Sequence, residues 1–285
     1  MDKNIFIPNP SNLEKIKKAI VKAGPEKLHI LADFDSTLTR AYVDGKEVPS
    51  MLFLLYNGNY LSPDYNQKAK ALQAKYRPIE DSPRICEKEK KKAMEEWWTL
   101  HFKLLIESGL NKKEIESVVD SGKTKFRSGF PEFCDLLKSK DVPLVIMSSS
   151  GLGGDAVSML LKKEGRLNGN IFIISNSFKW DKNGNAVDIK KPIIHGMNKD
   201  DTMIQKFPAF EAVKDRKNVI LLGNSVGDVG MVKGFDCENL VKIGFLNYNV
   251  KESLDFFSRA YDVLILGDGP MGYINNLIKD ILGRD

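Results

Sequence analysis

Six short apolar segments constrain the fold of this chain more than any other feature of its sequence. They are rich in Val, Ile and Leu, and they cover residues 28–32, 142–147, 170–174, 218–222, 240–243 and 261–266. Helical patterns, such as those over residues 155–163 and 271–282, separate most of the later segments. Strands that are apolar throughout are buried on both faces, and their alternation with helices is typical of a parallel sheet. The sequence therefore predicts an α/β fold with a doubly wound parallel sheet.

Two shorter patterns lie outside this alternation. Residues 12–23 have the apolar spacing of an amphipathic helix and end at Gly24 and Pro25. The segment 178–192 contains Asn183 and Gly184, a pair that favours the turn of a β-hairpin.

The first and second apolar segments are separated by a long insertion of different character. Residues 42–125 contain polar stretches with helical periodicity and almost no β-branched runs. Within 87–108 one face of the predicted helix carries Met94, Trp97, Trp98, His101, Leu104 and Leu105. We therefore predict a mostly helical insertion over 42–125, which divides an α/β core formed by 1–41 and 126–285, and we interpret His101 as a core residue.

Charge and cysteine content exclude several classes of protein. The net charge is +5, but lysine and glutamate are interspersed and no arginine-rich arm is present, so we expect no nucleic-acid polymer as partner. The three cysteines are far apart and lack the spacing of metal ligands. No apolar run is long enough for a membrane span. We expect a cytoplasmic monomer with no membrane partner.

Two carboxylates follow directly on the first apolar segment, in the run Asp33-Phe-Asp-Ser-Thr-Leu. Loops converge at the carboxyl edge of a parallel sheet, and ligands bind there. Acids at i and i+2 can divide the chemistry, one attacking an electrophile and the other handling a proton, while a divalent cation relieves their repulsion. A solvated turn is the alternative interpretation of this pair when it is taken alone.

Three further polar signals follow later segments. Ser148-Ser149-Ser150-Gly151 ends the second segment and offers hydroxyl and backbone N–H groups to an anion. Lys199 precedes another helical stretch and can bring a positive charge to a phosphate. Asn224 and Asp228, in the loop Gly-Asn-Ser-Val-Gly-Asp, can contribute oxygen ligands for Mg²⁺. A serine-rich helix cap and a surface lysine are the structural alternatives for the first two signals.

Taken in order, these signals resemble the four motifs of haloacid dehalogenase-like phosphatases. The resemblance narrows to the cytosolic 5'-nucleotidase III family, also called pyrimidine 5'-nucleotidases, and covers nearly the whole chain from Leu28 to Leu282. The segments that carry it are Asp33-Phe-Asp-Ser-Thr-Leu-Thr-Arg40, Glu96-Trp-Trp-Thr99, Asn198-Lys199-Asp200, Leu-Leu-Gly-Asn224-Ser-Val-Gly-Asp228 and Lys242-Ile-Gly-Phe-Leu-Asn247.

This resemblance implies hydrolysis of nucleoside 5'-monophosphates, with pyrimidine bases preferred, in two phosphoryl-transfer steps. Asp33 would form an aspartyl-phosphate, Asp35 would act as acid and then as base, and Lys199 would neutralise charge. Family members can also pass the phosphate to another nucleoside.

The resemblance also assigns the binding groups. Ser148, Ser149 and Thr37 would form the phosphate-binding group, with Thr37 fixing the nucleophile loop. Mg²⁺ would bind Asp33, Asp35 through its backbone carbonyl, Asn224 and Asp228. The insertion over 42–125 would be the cap domain of a catalytic core formed by 1–41 and 126–285. In this cap, Glu96 would lie near the nucleoside, and Trp97 or Trp98 would stack on the base. Packing of the cap helix is the alternative role for the two tryptophans.

Two departures from the family pattern bear on activity. Asn224 stands where the family has an aspartate, so metal affinity should fall unless Asp228 takes up the role. Ser149 stands where a small apolar residue is usual, and the loop through Gly154 is slightly longer.

Three alternatives stay open at this point. The chain could be a phosphorylated receiver switch, although Asp35 and the long insertion argue against it. It could be a nucleotide-binding protein disabled at Asn224, or a phosphatase of another small metabolite such as phosphoserine or a sugar phosphate.

Overall fold

The structure is a computed structural model that describes residues 4–58, 60–199, 204–234 and 236–283. Its strands are β1 (Ile5–Phe6), β2 (Leu28–Ala32), β3 (Tyr42–Val43), β4 (Lys46–Glu47), β5 (Leu144–Ser148), β6 (Ile171–Ser175), β7 (Phe178–Trp180), β8 (Ala186–Ile189), β9 (Asn218–Gly223), β10 (Asn239–Leu246) and β11 (Val263–Leu266). Its α-helices are α1 (Pro10–Ala23), α2 (Met51–Asn57), α3 (Tyr65–Asp81), α4 (Glu87–Glu107), α5 (Lys112–Asp120), α6 (Phe130–Ser139), α7 (Gly153–Lys163), α8 (Ala209–Val213), α9 (Val250–Ser258) and α10 (Gly272–Leu282).

A seven-stranded sheet forms the centre of the protein, in the order β1-β11-β10-β9-β2-β5-β6. All neighbouring strands from β11 to β6 are parallel, and β1 is antiparallel at the edge, with Ile5 paired to Ile265. The predicted α/β fold with a parallel sheet is therefore confirmed. β1 was not predicted, because its two residues are too few for a recognisable strand pattern.

The central strand β2 is buried on both faces, which explains its continuous apolar sequence. Ile30 belongs to the core cluster that includes Ile20 of α1, whereas Leu31 belongs to the cluster on the other face with Val145 of β5. Successive side chains of a strand point to opposite faces, so each residue of β2 fills one of the two layers.

The insertion between β2 and β5 contains helices α2 to α5 and the small ribbon β3–β4. Helices α3 and α4 pack against each other, and Met94, His101, Leu104 and Leu105 of the predicted stripe are buried. Helix α3 continues past Pro78, although proline usually ends a helix. The division of the chain at 41/42 and 125/126 stays a prediction.

The two connections between the insertion and the sheet run side by side. Arg40 N donates to Lys125 O over 2.8 Å, Arg127 N donates to Leu38 O over 3.0 Å, and Thr39 forms a bridge with Phe126. The segments that lead into and out of the insertion therefore form a short antiparallel pair.

The predicted hairpin and the predicted first helix are both present, with bounds that differ from the predicted ones. Strands β7 and β8 form an antiparallel hairpin across the turn at Asn183 and Gly184. Helix α1 begins at Pro10, earlier than predicted, because the Asn9 side chain accepts a hydrogen bond from Asn12 N over 3.0 Å and caps it.

Membrane-spanning segments were sought among the helices of the described ranges, and none of these helices has the necessary length and apolar character.

Candidate active site

Three adjacent strands carry the predicted motifs to one edge of the sheet. β2 lies between β5 and β9, so Asp33 follows the middle strand, Ser148 ends one neighbour and Asn224 follows the other. The backbone of Asp33 still belongs to this edge, since its N–H donates to Leu222 O over 3.0 Å. Parallel pairing thus brings together residues that are far apart in sequence.

Lys199 joins two carboxylates at the centre of this edge. Its Nζ donates to Oδ1 of Asp33 and, over 3.2 Å, to Oδ1 of Asp228. All three residues are buried, with 6%, 7% and 4% of their surface exposed respectively. A buried cation between two buried anions compensates charges that could not otherwise be held away from water.

Burial and charge set the protonation of these groups. Burial disfavours the charge of Lys199, but Asp33 and Asp228 outweigh it and raise the pKa of the ammonium. Burial raises the pKa of Asp33 to about 6, with Lys199 opposing the shift. Burial and the charge of Asp33 raise the pKa of Asp35 to about 7. Near neutral pH, Asp33 is therefore mainly ionised, whereas Asp35 can both give and take a proton.

Thr37 links the Asp33–Thr37 loop, which carries the proposed nucleophile, to the loop that follows β9. Its Oγ1 lies 3.2 Å from Oδ2 of Asp33 and 3.1 Å from Oδ1 of Asn224. Both oxygens are acceptors for the single hydrogen of the Thr37 hydroxyl. The hydroxyl therefore lies between two oxygen atoms that could also bind a metal ion.

The second oxygen of Asp228 organises its own loop. Oδ2 accepts hydrogen bonds from Asn224 N over 3.1 Å, Ser225 N over 3.0 Å and the Ser225 hydroxyl over 2.9 Å. Because its other oxygen faces Lys199, both oxygens of Asp228 already have partners. The role of Asp228 as a metal ligand stays a prediction.

The donor set at this edge suits a hard divalent cation. No three His, Cys, Asp or Glu side chains of the described residues gather as a metal site. The oxygens of Asp33 and Asn224 nevertheless converge on Thr37, and carboxylate, amide and backbone carbonyl oxygens are the ligands that Mg²⁺ takes. Asp33, Asn224 and the Asp35 carbonyl could therefore hold Mg²⁺, with a neutral amide where a second carboxylate would bind more strongly.

Hydrogen bonds from side chains hold the serine loop in place after β5. Ser148 is buried and its Oγ accepts from Ser150 N over 3.1 Å, while Ser149 is partly exposed. Asn176 donates to Ser150 O over 3.2 Å and to Ile194 O over 2.9 Å. The structure therefore fixes this loop beside the nucleophile strand, and the phosphate-binding roles of Ser148, Ser149 and Thr37 stay predictions.

In the cap, Trp97 and Trp98 line a pocket of about 160 Å³. The other lining residues are Ser50, Leu52, Phe53, Tyr56, Ala69, Gln73 and His101. The pocket adjoins the core, because a Cβ atom at Gly151 would lie 2.4 Å from Cδ2 of Leu52 and 3.0 Å from Cζ3 of Trp98. Trp98 thus lies close to the serine loop.

Glu96 lies elsewhere. Its side chain is 54% exposed, and Oε1 accepts from the Tyr76 hydroxyl over 2.6 Å and from Lys75 Nζ over 3.3 Å. Its side chain is not among those that line the pocket. The contact between Glu96 and substrate stays a prediction.

Sequence reasoning missed one residue that contacts the nucleophile loop. Arg127 is buried and donates from Nη2 to Ser36 O and from Nε to Thr37 O, each over 2.6 Å. An isolated arginine after a helical insertion gives no sequence signal for this role. Asn247, which also donates to Ser36 O over 2.8 Å, lies in a segment that carried the family resemblance but was given no function.

Comparison with known proteins agrees with this geometry. The family model for "Pyrimidine 5'-nucleotidase (UMPH-1)" matches residues 36–282. The 7-methylguanosine phosphate-specific 5'-nucleotidase of Gallus gallus is 33% identical over 98% of this chain and 96% of its own length. The Homo sapiens protein of the same name is 32% identical over 99% of this chain and 94% of its own length.

Solved structures extend the similarity to the fold. The crystal structure of cytosolic 5'-nucleotidase IIIB bound to cytidine superposes with a TM-score of 0.88, at 26% identity, covering 99% of this chain and 94% of that one. A phosphoserine phosphatase with a phospho-aspartyl intermediate analogue shares the fold, with a TM-score of 0.51 at 15% identity over 87% of this chain and 97% of that one. This chain therefore belongs to the pyrimidine 5'-nucleotidase (UMPH-1) family, an enzyme family with the haloacid dehalogenase-like phosphatase fold.

Proposed function

We propose that this protein hydrolyses nucleoside 5'-monophosphates to nucleosides and inorganic phosphate, with Mg²⁺ as cofactor. The observation that carries this proposal is the buried bridge of Lys199 between Asp33 and Asp228. The bridge keeps an ionised carboxylate at the sheet edge, two residues before Asp35, whose pKa is raised by burial to about 7.

In the first step, Asp33 attacks the phosphorus atom and the bond to the ribose 5'-oxygen breaks. Protonated Asp35 gives its proton to the departing oxygen, so that the nucleoside leaves as a neutral alcohol. The product on the enzyme is an aspartyl-phosphate at Asp33. Lys199 offsets negative charge on the nucleophile and on the transferred group.

In the second step, ionised Asp35 takes a proton from water, and the water oxygen attacks the phosphorus atom of the aspartyl-phosphate. The bond to Asp33 breaks, inorganic phosphate leaves, and both carboxyl groups return to their starting states. A nucleoside hydroxyl in place of water would give phosphate transfer instead of hydrolysis.

Asp33, Asn224, the Asp35 carbonyl and Asp228 are the proposed ligands of Mg²⁺, which supplies charge neutralisation for the phosphoryl group when bound. Ser148 and Ser149 bind the phosphoryl oxygens, and Thr37 fixes the loop. These groups orient the phosphorus for in-line attack, which is the main contribution of a protein to this chemistry.

We propose that the base enters the aromatic pocket of the cap. Trp97 and Trp98 line this pocket, and stacking of a base on an aromatic ring contributes about 1–3 kcal/mol without strong base preference. Pyrimidine monophosphates and 7-methylguanosine monophosphate are the candidate substrates, because the family model, the cytidine-bound structure and the names of the similar proteins point to these two classes. A methylated, positively charged base gains additional attraction from the ring faces.

The decisive experiment measures phosphate release with Mg²⁺ across CMP, UMP, 7-methylguanosine monophosphate, AMP, GMP, phosphoserine and glucose 6-phosphate, with Asp33→Asn as the blank. We expect nucleotides to exceed the other phosphoesters by at least tenfold. Equal rates for the blank and the parent protein would remove Asp33 from its role, and faster release from phosphoserine or the sugar phosphate would reassign the substrate class.

The same experiment separates the remaining alternatives. A nucleotide-binding protein disabled at Asn224 would bind CMP without releasing phosphate, and a receiver-type switch would hold a long-lived phosphoaspartate. We propose a cytoplasmic monomer, with cap and core divided at 41/42 and 125/126; one of the similar structures is named as a cytosolic enzyme.

A further inference from the structure

The Arg127 side chain is completely buried beside the nucleophile loop, with 0% exposure. Burial lowers the pKa of its guanidinium to about 10, with Asp268 opposing the shift, so the group stays charged at neutral pH. Its Cζ lies 4.0 Å from the ring centroid of Phe245. Such a residue is costly to bury unless each of its donors is satisfied.

All five N–H groups of Arg127 have acceptors. Nε and one Nη2 hydrogen bind Thr37 O and Ser36 O, the other Nη2 hydrogen binds Asn247 Oδ1 over 2.8 Å, and Nη1 binds Asp268 Oδ1 and the carbonyl of residue 269, each over 2.9 Å. A lysine has three donors on one atom and cannot reproduce this planar fork.

Two of these contacts hold the backbone of the nucleophile loop in an unusual conformation. Ser36 has a positive φ of 56°, which a residue with a side chain adopts at a cost. Its carbonyl is fixed by Arg127 and by Asn247, and the neighbouring Thr37 carries the hydroxyl that contacts Asp33. Arg127 thus reaches the nucleophile through Thr37.

Through Asp268, the Nη1 end of the guanidinium is linked to the segment that leads from the sheet into the cap. Asp268 Oδ1 also accepts from Ala41 N over 2.7 Å, and its Oδ2 accepts from Tyr42 N over 3.1 Å. Arg127 itself belongs to the returning connection, where its N–H donates to Leu38 O. The same ion pair therefore contacts the outgoing connection, the returning connection and the nucleophile loop.

We propose that Arg127 is a positioning residue for phosphoryl transfer, which sets the Asp33–Thr37 loop in place and anchors it, through Asp268, to the two connections of the cap. Asn247 acts in the same way through Ser36. This inference rests on the proposed phosphatase function but does not depend on the identity of the nucleoside.

The test compares Arg127→Lys and Asn247→Ser with Asn275→Ser as a matched control. Asn275 is also buried, and its side chain donates to Gly129 O and to Glu132 Oε2, each over 2.9 Å, so these hydrogen bonds lie outside the Asp33–Thr37 loop. Each variant is assayed with CMP and with p-nitrophenyl phosphate, which has no base for the cap to bind. Thermal unfolding is recorded with and without Mg²⁺ and beryllofluoride, an analogue of the aspartyl-phosphate.

For Arg127→Lys we expect kcat to fall about 100-fold on both substrates, with KM changed less than threefold, because misplacement of a nucleophile by about 1 Å costs this much. Asn247→Ser should lose about tenfold. Both should lose the rise in melting temperature that beryllofluoride gives the parent. Asn275→Ser should melt earlier, while it keeps the parent's kcat and its response to beryllofluoride.

If Arg127→Lys and Asn247→Ser melt earlier but keep kcat within twofold, the positioning role is overturned. If Arg127→Lys does not fold, Asn247→Ser decides alone. A parent protein that cleaves p-nitrophenyl phosphate but no nucleotide would refute the proposed substrate and leave this test intact. A parent that cleaves neither is judged by the beryllofluoride response alone, and equal responses in all variants would then overturn the proposal.

Discussion

Thr37 and Asn224 face each other across the ends of two neighbouring strands, with Oγ1 of the threonine 3.1 Å from Oδ1 of the asparagine. The same hydroxyl lies 3.2 Å from Oδ2 of Asp33. Two oxygen acceptors therefore compete for one hydrogen at the place where Mg²⁺ is proposed to bind. A neutral amide tolerates this arrangement without metal, whereas a second carboxylate there would be repelled by Asp33.

Replacement of Asn224 by aspartate should strengthen Mg²⁺ binding. The added charge favours a divalent cation between positions 33 and 224, because affinity at oxygen sites rises with the number of charged ligands. We expect the Mg²⁺ concentration for half-maximal phosphate release to fall on the order of tenfold. Asn183→Asp, which makes the same charge change on the β7–β8 turn, should leave it unaltered; an equal shift in both variants would contradict the assignment.

Loss of Lys199 should be costly for both stability and turnover. Lys199→Gln leaves two buried carboxylates without their cation, so we expect the free energy of unfolding to fall by about 3 kcal/mol at pH 8. The deficit should shrink at pH 5, because the folded variant then takes up a proton that relieves the repulsion. Denaturant titrations at both pH values measure the effect, and kcat should fall about 100- to 1000-fold.

Lys279→Gln provides the control for charge removal. Lys279 pairs with Glu132 at the surface, with 43% and 48% exposure, and exposed pairs contribute about 0–1 kcal/mol. A loss for Lys199→Gln no larger than this would show that the buried bridge contributes little.

The strand ends were predictable because buried parallel strands have continuous apolar sequences, which can be recognised without the structure. Once β2, β5 and β9 are identified as buried strands, Asp33, Ser148 and Asn224 must meet at one edge. No comparable rule predicts the contacts that irregular loops make with these strand ends. That both oxygens of Asp228 are engaged, by Lys199 and by its own loop, depends on the path of an irregular segment.

In the cap, too, sequence periodicity predicted which residues share a helix face but not the contacts between segments. Helical periodicity placed Trp97 and His101 on one face, and the pocket confirms that face. The family resemblance placed Glu96 near the nucleoside, and that contact stays a prediction; in the structure its Oε1 accepts a hydrogen bond from the Tyr76 hydroxyl. Arg127 could not be found from sequence, because its five acceptors come from three separate segments of the chain.

In mild acid the two buried histidines should cost stability because they resist protonation, whereas Asp33 and Asp35, whose pKa values are raised in the folded protein, act in the opposite direction. Burial lowers the pKa of His101 to about 4 and that of His29 to about 4. At these two histidines the unfolded chain binds protons below about pH 6.5 whereas the folded chain does not, so their contribution favours unfolding. At pH 5 each histidine should cost about 2 kcal/mol relative to pH 8. Urea titrations of the parent and His101→Gln measure this, and the difference between the two proteins should narrow by that amount at pH 5.

Gly151 should be required for close contact between cap and core. A Cβ at this position would lie 2.4 Å from Leu52 and 3.0 Å from Trp98, so Gly151→Val should hold the aromatic pocket away from the serine loop. We expect kcat/KM for CMP to fall about tenfold, since substrate base and phosphate could no longer be held together. Leu52→Ala removes the nearest obstacle, and the double variant Gly151→Val with Leu52→Ala should recover most of the loss. If the two substitutions instead lower kcat/KM additively, the clash is not the cause, because contacting residues whose effects share one origin should not behave independently.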